Sequence, residues 1–315
     1  TQKNDMVCVA GHTVLLGSAI LRALGAEGYN NIIATPRGFD LTAPAKTLLL
    51  FEIYKPEYVF MAAAKVGSIA ENIKYPVDFL NENTLIQRNV FEAARLFEVK
   101  KLLFFSSNCC YPRDCIQPMR EEYFMTGPPE PTNDAYALAK IIGMKLCQSY
   151  NYQYGTRFDC MVLASLYGSN SHFGTSRAHV IADIIQKLYQ AKETNLKEII
   201  FWGDGSPLRE YMFVDDAADA AIFFMNNDND FSHKTPGFIN VGTGEEISIH
   251  DLVMLIAEIV DYDGKIKWEI SKPNGAPRKF LDSSKCHTLG WHHKTNLEDG
   301  LKKTIEWYLK NRQVS

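Results

Sequence analysis

Short apolar runs alternate along this chain with longer stretches whose apolar residues recur at helical spacing. Residues 6–10, Met-Val-Cys-Val-Ala, form a β-branched apolar run, and Gly11 and an amphipathic stretch over 17–24 follow it. That order predicts a strand, a tight turn and a helix. The pattern repeats, with strands predicted over 31–34, 58–63, 101–105 and 159–163 and helices over 45–54, 78–97 and 136–154. Such alternation predicts a parallel sheet with helices on both faces.

After residue 166 the pattern changes to a loop rich in Ser, Asn, Gly and His. Helices are predicted beyond it over 180–191, 214–225, 249–260 and 297–309, and strands over 198–202 and 238–241. The sequence therefore predicts an α/β fold, a Rossmann-type doubly wound parallel sheet with a smaller, mixed C-terminal substrate domain. We expect the sheet domain to hold residues 1–165, completed by about 208–243, and the second domain to hold 166–207 and 244–315.

The 315 residues are 46% hydrophobic, and their formal net charge is −4. This balance is typical of a folded protein and gives no basic field, so we expect no nucleic-acid or membrane partner. The seven cysteines are an odd number without the paired spacing of a zinc site, and the chain opens without the pattern of a secretory signal. We therefore expect a reduced, cytoplasmic protein that binds no metal.

The first predicted turn offers a site for a dinucleotide, because a helix N-terminus presents free N–H groups and a favourable dipole to a pyrophosphate. Its residues are Gly11, His12, Thr13, Val14, Leu15, Leu16 and Gly17. The spacing resembles the Gly-x-x-Gly-x-x-Gly of short-chain dehydrogenases, with Val14 in place of the middle glycine. A Cβ atom there should crowd the cofactor, so a pair of packing glycines explains the motif about equally well.

Arg37 follows the second predicted strand, where such folds recognise the adenosine ribose. An Arg there favours NADP, since it can pair with a 2′-phosphate, although a solvated turn residue is an equally good interpretation. Asp40 and Leu41 come next, and an Asp at this place commonly contacts adenine.

Tyr136 and Lys140 are spaced i, i+4 on a predicted helix, so the phenol and the ammonium share one face. Lys140 should lower the pKa of the phenol and make Tyr136 a proton donor to a carbonyl. Ser107, at the end of the preceding strand, offers a hydroxyl to the same carbonyl. Taken alone, a Tyr-x-x-x-Lys pair is more often a surface pair.

Several longer segments resemble one family. They are 10–12 (Ala-Gly-His), 62–67 (Ala-Ala-Ala-Lys-Val-Gly), 107–112 (Ser-Asn-Cys-Cys-Tyr-Pro), 130–140 (Glu-Pro-Thr-Asn-Asp-Ala-Tyr-Ala-Leu-Ala-Lys), His179, 202–210 (Trp-Gly-Asp-Gly-Ser-Pro-Leu-Arg-Glu) and 271–279 (Ser-Lys-Pro-Asn-Gly-Ala-Pro-Arg-Lys). Together they resemble the GDP-L-fucose synthases, which are extended short-chain dehydrogenases, over nearly the whole chain. The resemblance implies an enzyme that inverts carbons 3 and 5 of GDP-4-keto-6-deoxy-mannose and reduces its 4-keto group with NADPH.

The resemblance also implies roles for individual residues. Cys109 would be the base and His179 the acid of epimerisation, while Ser107 and Tyr136 hold the keto oxygen and Lys140 binds the nicotinamide ribose. A thiol of near-neutral pKa and an imidazole suit such proton transfers. Without the family context, Cys109 is a small buried apolar residue and His179 a polar residue at a helix N-terminus.

Further contacts are implied on both sides of the cleft. Those to the cofactor are Ala63, Leu163, Ser165, Leu166 and His179. Those to the GDP-sugar are Val180, Lys187, Trp202, Arg209, Asn274 and Lys279. The alternative interpretation is that the Trp packs in the core and that the charged side chains are solvated. The resemblance also implies a homodimer through the helices near 83–97 and 136–152.

Two departures from the family pattern affect the expected substrate. Val14 is one, and the other is Leu163-Ala164-Ser165, where the family has Pro-Thr-Asn. We therefore expect a different sugar, such as a 4-keto GDP-heptose or a colitose precursor for a bacterial surface polysaccharide. A reductase-only or epimerase-only relative, and a non-catalytic Rossmann binding protein, stay open as alternatives.

Overall fold

The computed structural model describes residues 1–35, 38–174, 178–227, 237–272 and 274–312. Its strands are β1 (Val7–Ala10), β2 (Ile32–Ala34), β3 (Tyr58–Met61), β4 (Lys101–Ser107), β5 (Phe158–Leu163), β6 (Ser165–Tyr167), β7 (Glu198–Trp202), β8 (Leu208–Arg209), β9 (Tyr211–Phe213), β10 (Ile239–Val241), β11 (Ile247–Ser248), β12 (Lys265–Glu269) and β13 (Arg278–Lys279). Its helices are α1 (Leu15–Ala26), α2 (Pro44–Tyr54), α3 (Ile69–Lys74), α4 (Pro76–Leu96), α5 (Asp134–Tyr154), α6 (Val180–Glu193), α7 (Val214–Asn226), α8 (Ile249–Val260), α9 (Ser284–Thr288) and α10 (Leu297–Asn311).

A six-stranded parallel sheet lies at the centre, in the order β10-β5-β4-β3-β1-β2. Strand β2 lies on one side of β1 and β3 on the other, so the direction of sheet growth reverses between β1 and β3. Helices that leave in opposite directions at such a point open a crevice at the carboxyl ends of the strands, and ligands bind there. The predicted Rossmann-type fold is confirmed.

Two helix layers cover this sheet, because α1 packs against α7, and α4 packs against α2 and α5. The central strands are buried along almost their whole length, and most of their residues are apolar, as expected for a sheet covered on both faces. Helices α1, α4, α5 and α7 bury apolar residues in the same core as the strands of this sheet, as the periodicity of their sequences predicts.

A second apolar cluster lies under the C-terminal half of the chain. Ile185 and Leu188 of α6, Ile256 of α8 and Leu301 of α10 pack there, against Phe201 of β7. Smaller sheets accompany it, in the orders β11-β8-β13, β12-β7 and β6-β9. These two clusters support the predicted division into a sheet domain and a substrate domain, which stays a proposal.

Several short elements are not foreseen from the sequence. They are β6, β8, β9, β11, β12, β13, α3 and α9. All are only two to six residues long, and such a length holds too few alternations for a periodic signal. None of the helices in the described ranges is both long and apolar enough to cross a membrane.

Candidate active site

The carboxyl end of β4 places the first two predicted groups. The Ser107 hydroxyl accepts a hydrogen bond at 3.5 Å from the Cys109 N–H and so begins a short 3₁₀ turn, Asn108–Cys110. This turn holds the Cys109 thiol in a buried position at the edge of the sheet. Ser107 and Cys109 therefore lie together, as the sequence predicts.

The start of α5 brings Tyr136 and Lys140 to the same edge. Lys140 is buried, and its Nζ donates a 2.8 Å hydrogen bond to the carbonyl of Phe105 on β4. The same ammonium lies 5.6 Å from the centre of the Tyr136 ring, one helical turn away. The backbone of β4 thus fixes the ammonium beside the phenol.

Burial governs the ionisation of this pair. It lowers the pKa of Lys140 to about 8, because a charged ammonium is poorly solvated there, although the nearby Cys109 acts in the opposite direction. Burial also raises the pKa of the Tyr136 phenol, and Cys109 adds to that shift. The expected lowering of the phenol pKa by Lys140 is therefore wrong for this form of the protein.

The Cys109 thiol is subject to the same effect. Its burial raises the pKa, while the positive charges of Lys279 and Lys140 and a hydrogen bond with Ser107 oppose the rise. The expected near-neutral pKa of the thiol is therefore wrong, because burial shifts it upward. All seven cysteines are free thiols.

A pair of cations lies on the small sheet of the second unit. Strands β8 and β13 run parallel with Arg209 opposite Lys279, so both side chains leave the same face of the small sheet. Burial lowers the pKa of each group. Two partly buried cations at adjacent positions suit the charges of a diphosphate.

Glu210 supports this pair of cations, although the sequence analysis does not name it as a site residue. Its fully buried carboxylate accepts hydrogen bonds from the backbone N–H groups of Thr243 at 2.8 Å, Gly244 at 2.9 Å and Leu281 at 3.1 Å. It thereby ties β8 to the segment after β10 and to the segment after β13. The signal in the sequence is weak, since an acidic residue beside Arg209 suggests a surface pair.

A cavity of about 640 Å³ opens at the reversal between β1 and β3. Six of the predicted cofactor contacts line it, namely Gly11, Thr13, Val14, Asp40, Leu41 and Ala63. Gly11 has a φ of +88°, and a Cβ atom there would lie 2.5 Å from the Cα of Ala63. A Cβ on Gly17 would lie 2.1 Å from the carbonyl oxygen of Gly11. The two glycines therefore allow α1 to begin close to β3.

Val14 occupies the N-cap position of α1 in an extended conformation, with φ −91° and ψ 169°. Because this φ is ordinary for any residue, the backbone itself does not require glycine at the position. Val14 lines the cavity, and as the N-cap residue it makes no side-chain hydrogen bond to the first turn of α1. Buried nearby, the Nδ1 atom of His12 has no hydrogen-bond partner among the described residues.

The ribose end of the predicted cofactor site is described in part. Arg37 lies outside the described residues. The Asp40 carboxylate accepts hydrogen bonds from the N–H of Thr42 at 2.9 Å and from its hydroxyl at 2.6 Å, and these bonds lower the pKa of Asp40. Asn89 of α4 donates to the carbonyl of Leu41 and so fixes this loop.

Lys65 is a further cavity residue that the sequence reasoning missed as a contact. Its Nζ lies 2.5 Å from a carboxylate oxygen of Glu82 and 3.5 Å from one of Asp78, both on α4. Its backbone N–H donates to Asn83 at 2.8 Å. Lys65 belongs to segment 62–67, which resembles the family, and this resemblance is the sequence signal that could have identified it.

The remaining predicted contacts are more widely spread. His179 is the exposed N-cap residue of α6, where partial desolvation and nearby His172 lower its pKa. Val180 is exposed at the start of α6, and Lys187 on the same helix pairs with Asp183 at 2.7 Å. Leu163 ends β5, while Ser165 and Leu166 form the start of β6.

Two predicted contacts lie at the tip of β7. Trp202 is 70% exposed, which rules out the core alternative, and the Lys272 ammonium lies 5.4 Å from the centre of its ring system. The Asn274 Oδ1 atom accepts a 2.9 Å hydrogen bond from the N–H of Asp204 and so orders the turn after Trp202. An exposed indole beside an ordered turn is available to a flat aromatic ligand.

A crevice at the sheet reversal, a glycine turn and a Ser, Tyr and Lys set define a Rossmann protein built for chemistry on a nucleotide-bound substrate. This chain belongs to the NAD dependent epimerase/dehydratase family, whose model matches residues 7–242. Within the family it is 44% identical to the putative GDP-L-fucose synthase 2 of Arabidopsis thaliana over 311 residues, which cover 98% of this chain and 93% of that protein. The resemblance to GDP-L-fucose synthases is thereby confirmed.

Two solved structures are similar to the whole chain. A GDP-6-OMe-4-keto-L-xylo-heptose reductase from Campylobacter jejuni is 34% identical with a TM-score of 0.93, and the match covers 99% of both chains. A GDP-mannoheptose C4 reductase from the same organism, with NADP bound, is 35% identical with a TM-score of 0.90 over 98% of this chain and 99% of that one.

Proposed function

We propose that this chain is an NADPH-dependent enzyme that reduces the 4-keto group of a GDP-4-keto sugar, coupled to epimerisation at carbons 3 and 5. The observation that carries the proposal is the grouping of Cys109 with Tyr136 and Lys140 at the carboxyl end of β4, together with the Arg209 and Lys279 cations paired on the small sheet. Reduction of a keto group requires a proton donor to its oxygen, and binding of a nucleotide diphosphate requires cations.

The cavity at α1 fits a dinucleotide. Its glycine turn has no room for side chains at Gly11 and Gly17, and the N-cap residue Val14 has no side chain that could bond the first N–H groups of α1, which suits a pyrophosphate there. Asp40 and Leu41 would face the adenosine, and Lys140 the nicotinamide ribose. When bound, NADPH supplies the hydride for the reduction.

Tyr136 is the proposed proton donor to the keto oxygen. Its raised pKa keeps the phenol protonated at neutral pH, and the positive charge of Lys140 favours the phenolate that forms when the proton leaves. The Ser107 hydroxyl accepts from the Cys109 N–H and can donate its own proton to the same keto oxygen.

Cys109 and His179 are the proposed base and acid of epimerisation. Protons beside a ketone are acidic because the enolate spreads its charge onto the keto oxygen. The lowered pKa of His179 leaves its imidazole mostly neutral at pH 7, so it would take up a proton before it delivers one to the opposite face of the sugar.

Arg209 and Lys279 would bind the diphosphate, and the exposed ring of Trp202 would stack on the guanine. Val180, Lys187 and Asn274 would complete the nucleotide site. Because Val14 and Ser165 change the surroundings of the cofactor and the sugar, we propose a heptose or a colitose-type precursor as the sugar, used in a bacterial surface polysaccharide.

Purified enzyme tests this proposal with NADPH and either GDP-4-keto-6-deoxy-mannose or a GDP-4-keto-heptose. We expect NADPH absorbance to fall, faster with the heptose, and deuterium from solvent to enter at carbons 3 and 5. Tyr136→Phe should slow the reduction by about 10²- to 10⁴-fold. Absence of NADPH oxidation with every GDP-4-keto sugar would contradict the proposal, and ordinary turnover of the 6-deoxy-mannose substrate would contradict the choice of sugar.

A homodimer in the cytoplasm is the proposed assembly. Leu85 and Leu96 on α4 and Leu138 and Ile142 on α5 expose apolar side chains on two helices that pack together. A second copy of the same pair of helices could cover them across a two-fold axis.

A further inference from the structure

The charged residues along the proposed cofactor cavity are mostly acidic, although the dinucleotide placed there is an anion. Of the described residues that line the cavity, four carry a carboxylate and one is a lysine or an arginine. The acidic residues are Asp40, Glu71, Asp78 and Glu82, and the basic one is Lys65. Carboxylates on the wall repel a pyrophosphate unless a cation offsets them. The place of Lys65 therefore bears on the affinity for the cofactor.

The Lys65 ammonium contacts two carboxylates of α4. Its Nζ lies 2.5 Å from an oxygen of Glu82 and 3.5 Å from an oxygen of Asp78. These two acidic residues are four positions apart on the helix, where like charges destabilise each other unless a cation lies between them. The Lys65 side chain is also more deeply buried than either carboxylate. The three groups therefore form one charge cluster on the wall of the cavity.

A buried amide fixes the backbone of Lys65 against the same helix. The Lys65 N–H donates to the Asn83 Oδ1 atom at 2.8 Å, and the Asn83 Nδ2 atom donates to the Lys65 carbonyl at 3.1 Å. The Nδ2 atom also donates to the carbonyl of Phe79 at 2.7 Å, so that Asn83 is anchored on α4 itself. Asn83 is fully buried. The position of the ammonium beside the two carboxylates is thus built into the fold.

The segment that contains Lys65 also reaches the glycine turn. A Cβ atom on Gly11 would lie 2.5 Å from the Cα of Ala63, so Ala63 touches the turn where the pyrophosphate would bind. Lys65 follows two residues later, and two residues of chain span at most about 7 Å. The Debye length is about 10 Å at 0.1 M salt, so charges at Lys65 are only partly screened from an anion on the turn.

We propose that Lys65 is a binding determinant for NADPH, because its ammonium offsets the Asp78 and Glu82 carboxylates on the wall of the cofactor cavity. The inference rests on the cofactor site of the proposed function. With the ammonium in place, the cluster carries one net negative charge, and without it the cluster carries two. Lys65 favours the anionic cofactor through these carboxylates and needs no direct contact with it.

Titration of NADPH fluorescence with the full chain tests this inference, at about 20 mM and about 0.5 M salt. We expect Lys65→Met to weaken NADPH binding about threefold or more at low salt. The difference from the parent chain should shrink at high salt, because ions screen the half-exposed carboxylates. A purely structural role of Lys65 would not give this salt dependence. Lys65→Arg keeps the charge and should bind NADPH like the parent chain.

A second comparison separates the offset of charge from a direct contact. Asp78→Asn combined with Glu82→Gln removes the repulsion that Lys65→Met leaves behind, so the triple variant should regain the affinity of the parent chain. Lys145→Met removes an exposed lysine from α5 and should not change the affinity. Lys65→Gln supplies a second neutral variant if the Met variant does not fold. Unchanged binding by Lys65→Met at low salt would overturn the inference, as would a triple variant that binds as weakly as Lys65→Met.

These titrations need no sugar, so the two proposals fail in different ways. If the chain binds NADPH but reduces no GDP-4-keto sugar, the proposed reaction fails while the titrations still decide the role of Lys65. If the chain reduces such a sugar and binds NADPH equally well without the ammonium, only this inference fails. A parent chain that binds no NADPH would overturn both.

Discussion

At the reacting residues, burial disfavours each charged form. It raises the pKa of Cys109 and Tyr136 and lowers that of Lys140 to about 8. Burial therefore disfavours the thiolate and the phenolate, and it brings the titration of Lys140 close to neutral pH.

The pKa of Lys140 predicts a pH-dependent stability. The group loses its proton near pH 8 when folded and near 10.5 when unfolded, so between these values the unfolded chain binds more protons and stability rises with pH. Relative to Lys140→Met, the free energy of unfolding should increase by about 3 kcal/mol from below pH 8 to above pH 10.5. Urea titrations at several pH values measure it.

Lys145→Met is the control for that experiment, because Lys145 is an exposed lysine on the same helix. The free energy of unfolding of Lys145→Met should differ from that of the parent chain by the same amount at every pH tested. A flat difference for Lys140→Met as well would show that the ammonium of Lys140 is not desolvated in the folded protein.

The position of Val14 leads to a separate prediction about the cofactor turn. Its side chain lines the cavity where the pyrophosphate would approach α1. Val14→Gly should bind NADPH about tenfold more tightly, since the Cβ and its methyl groups no longer crowd the turn, and should lose about 0.5–1 kcal/mol of stability. Titration of NADPH fluorescence measures the affinity. Val14→Ala should fall between the two, and equal or weaker binding by Val14→Gly would contradict the crowding argument.

At the scale of elements, the long helices and central strands follow from their own sequences, whereas the short strands of the second unit do not. Strands β8 and β13 have two residues each and are held together by pairing and by the buried carboxylate of Glu210. No periodic signal exists in two residues. Their position depends on partners far away in the chain.

Glu210 is the residue on which this arrangement should depend. Glu210→Ala leaves three backbone N–H groups without an acceptor and should lower the free energy of unfolding by about 2–4 kcal/mol. It should also raise the KM for the GDP-sugar, because Arg209 and Lys279 lose their common support. Denaturant unfolding and initial rates check both effects. Glu245→Ala, at an exposed neighbour, should change neither, and a stable Glu210→Ala with an unchanged KM would contradict this role.

At the scale of the molecule, the proposed dimer makes a prediction about α5. Ile142→Glu places a charge among exposed apolar side chains of α4 and α5 and should convert the dimer into a monomer, as measured by light scattering after size exclusion. Ile53→Glu, on an exposed apolar position of α2, is the matched control and should remain dimeric. A parent chain that elutes as a monomer would contradict the proposal itself.

The sequence by itself determined the alternation of strands and helices, the glycine turn and the Tyr136 and Lys140 pair, because these depend on spacing within one or two turns of chain. It also carried the resemblance to GDP-L-fucose synthases. Only the tertiary structure decided that Lys279 lies opposite Arg209, that the Glu210 carboxylate between β8 and β9 is buried, and in which direction burial shifts each pKa. Burial and long-range electrostatics depend on which distant segments pack together, and local periodicity carries no information about that.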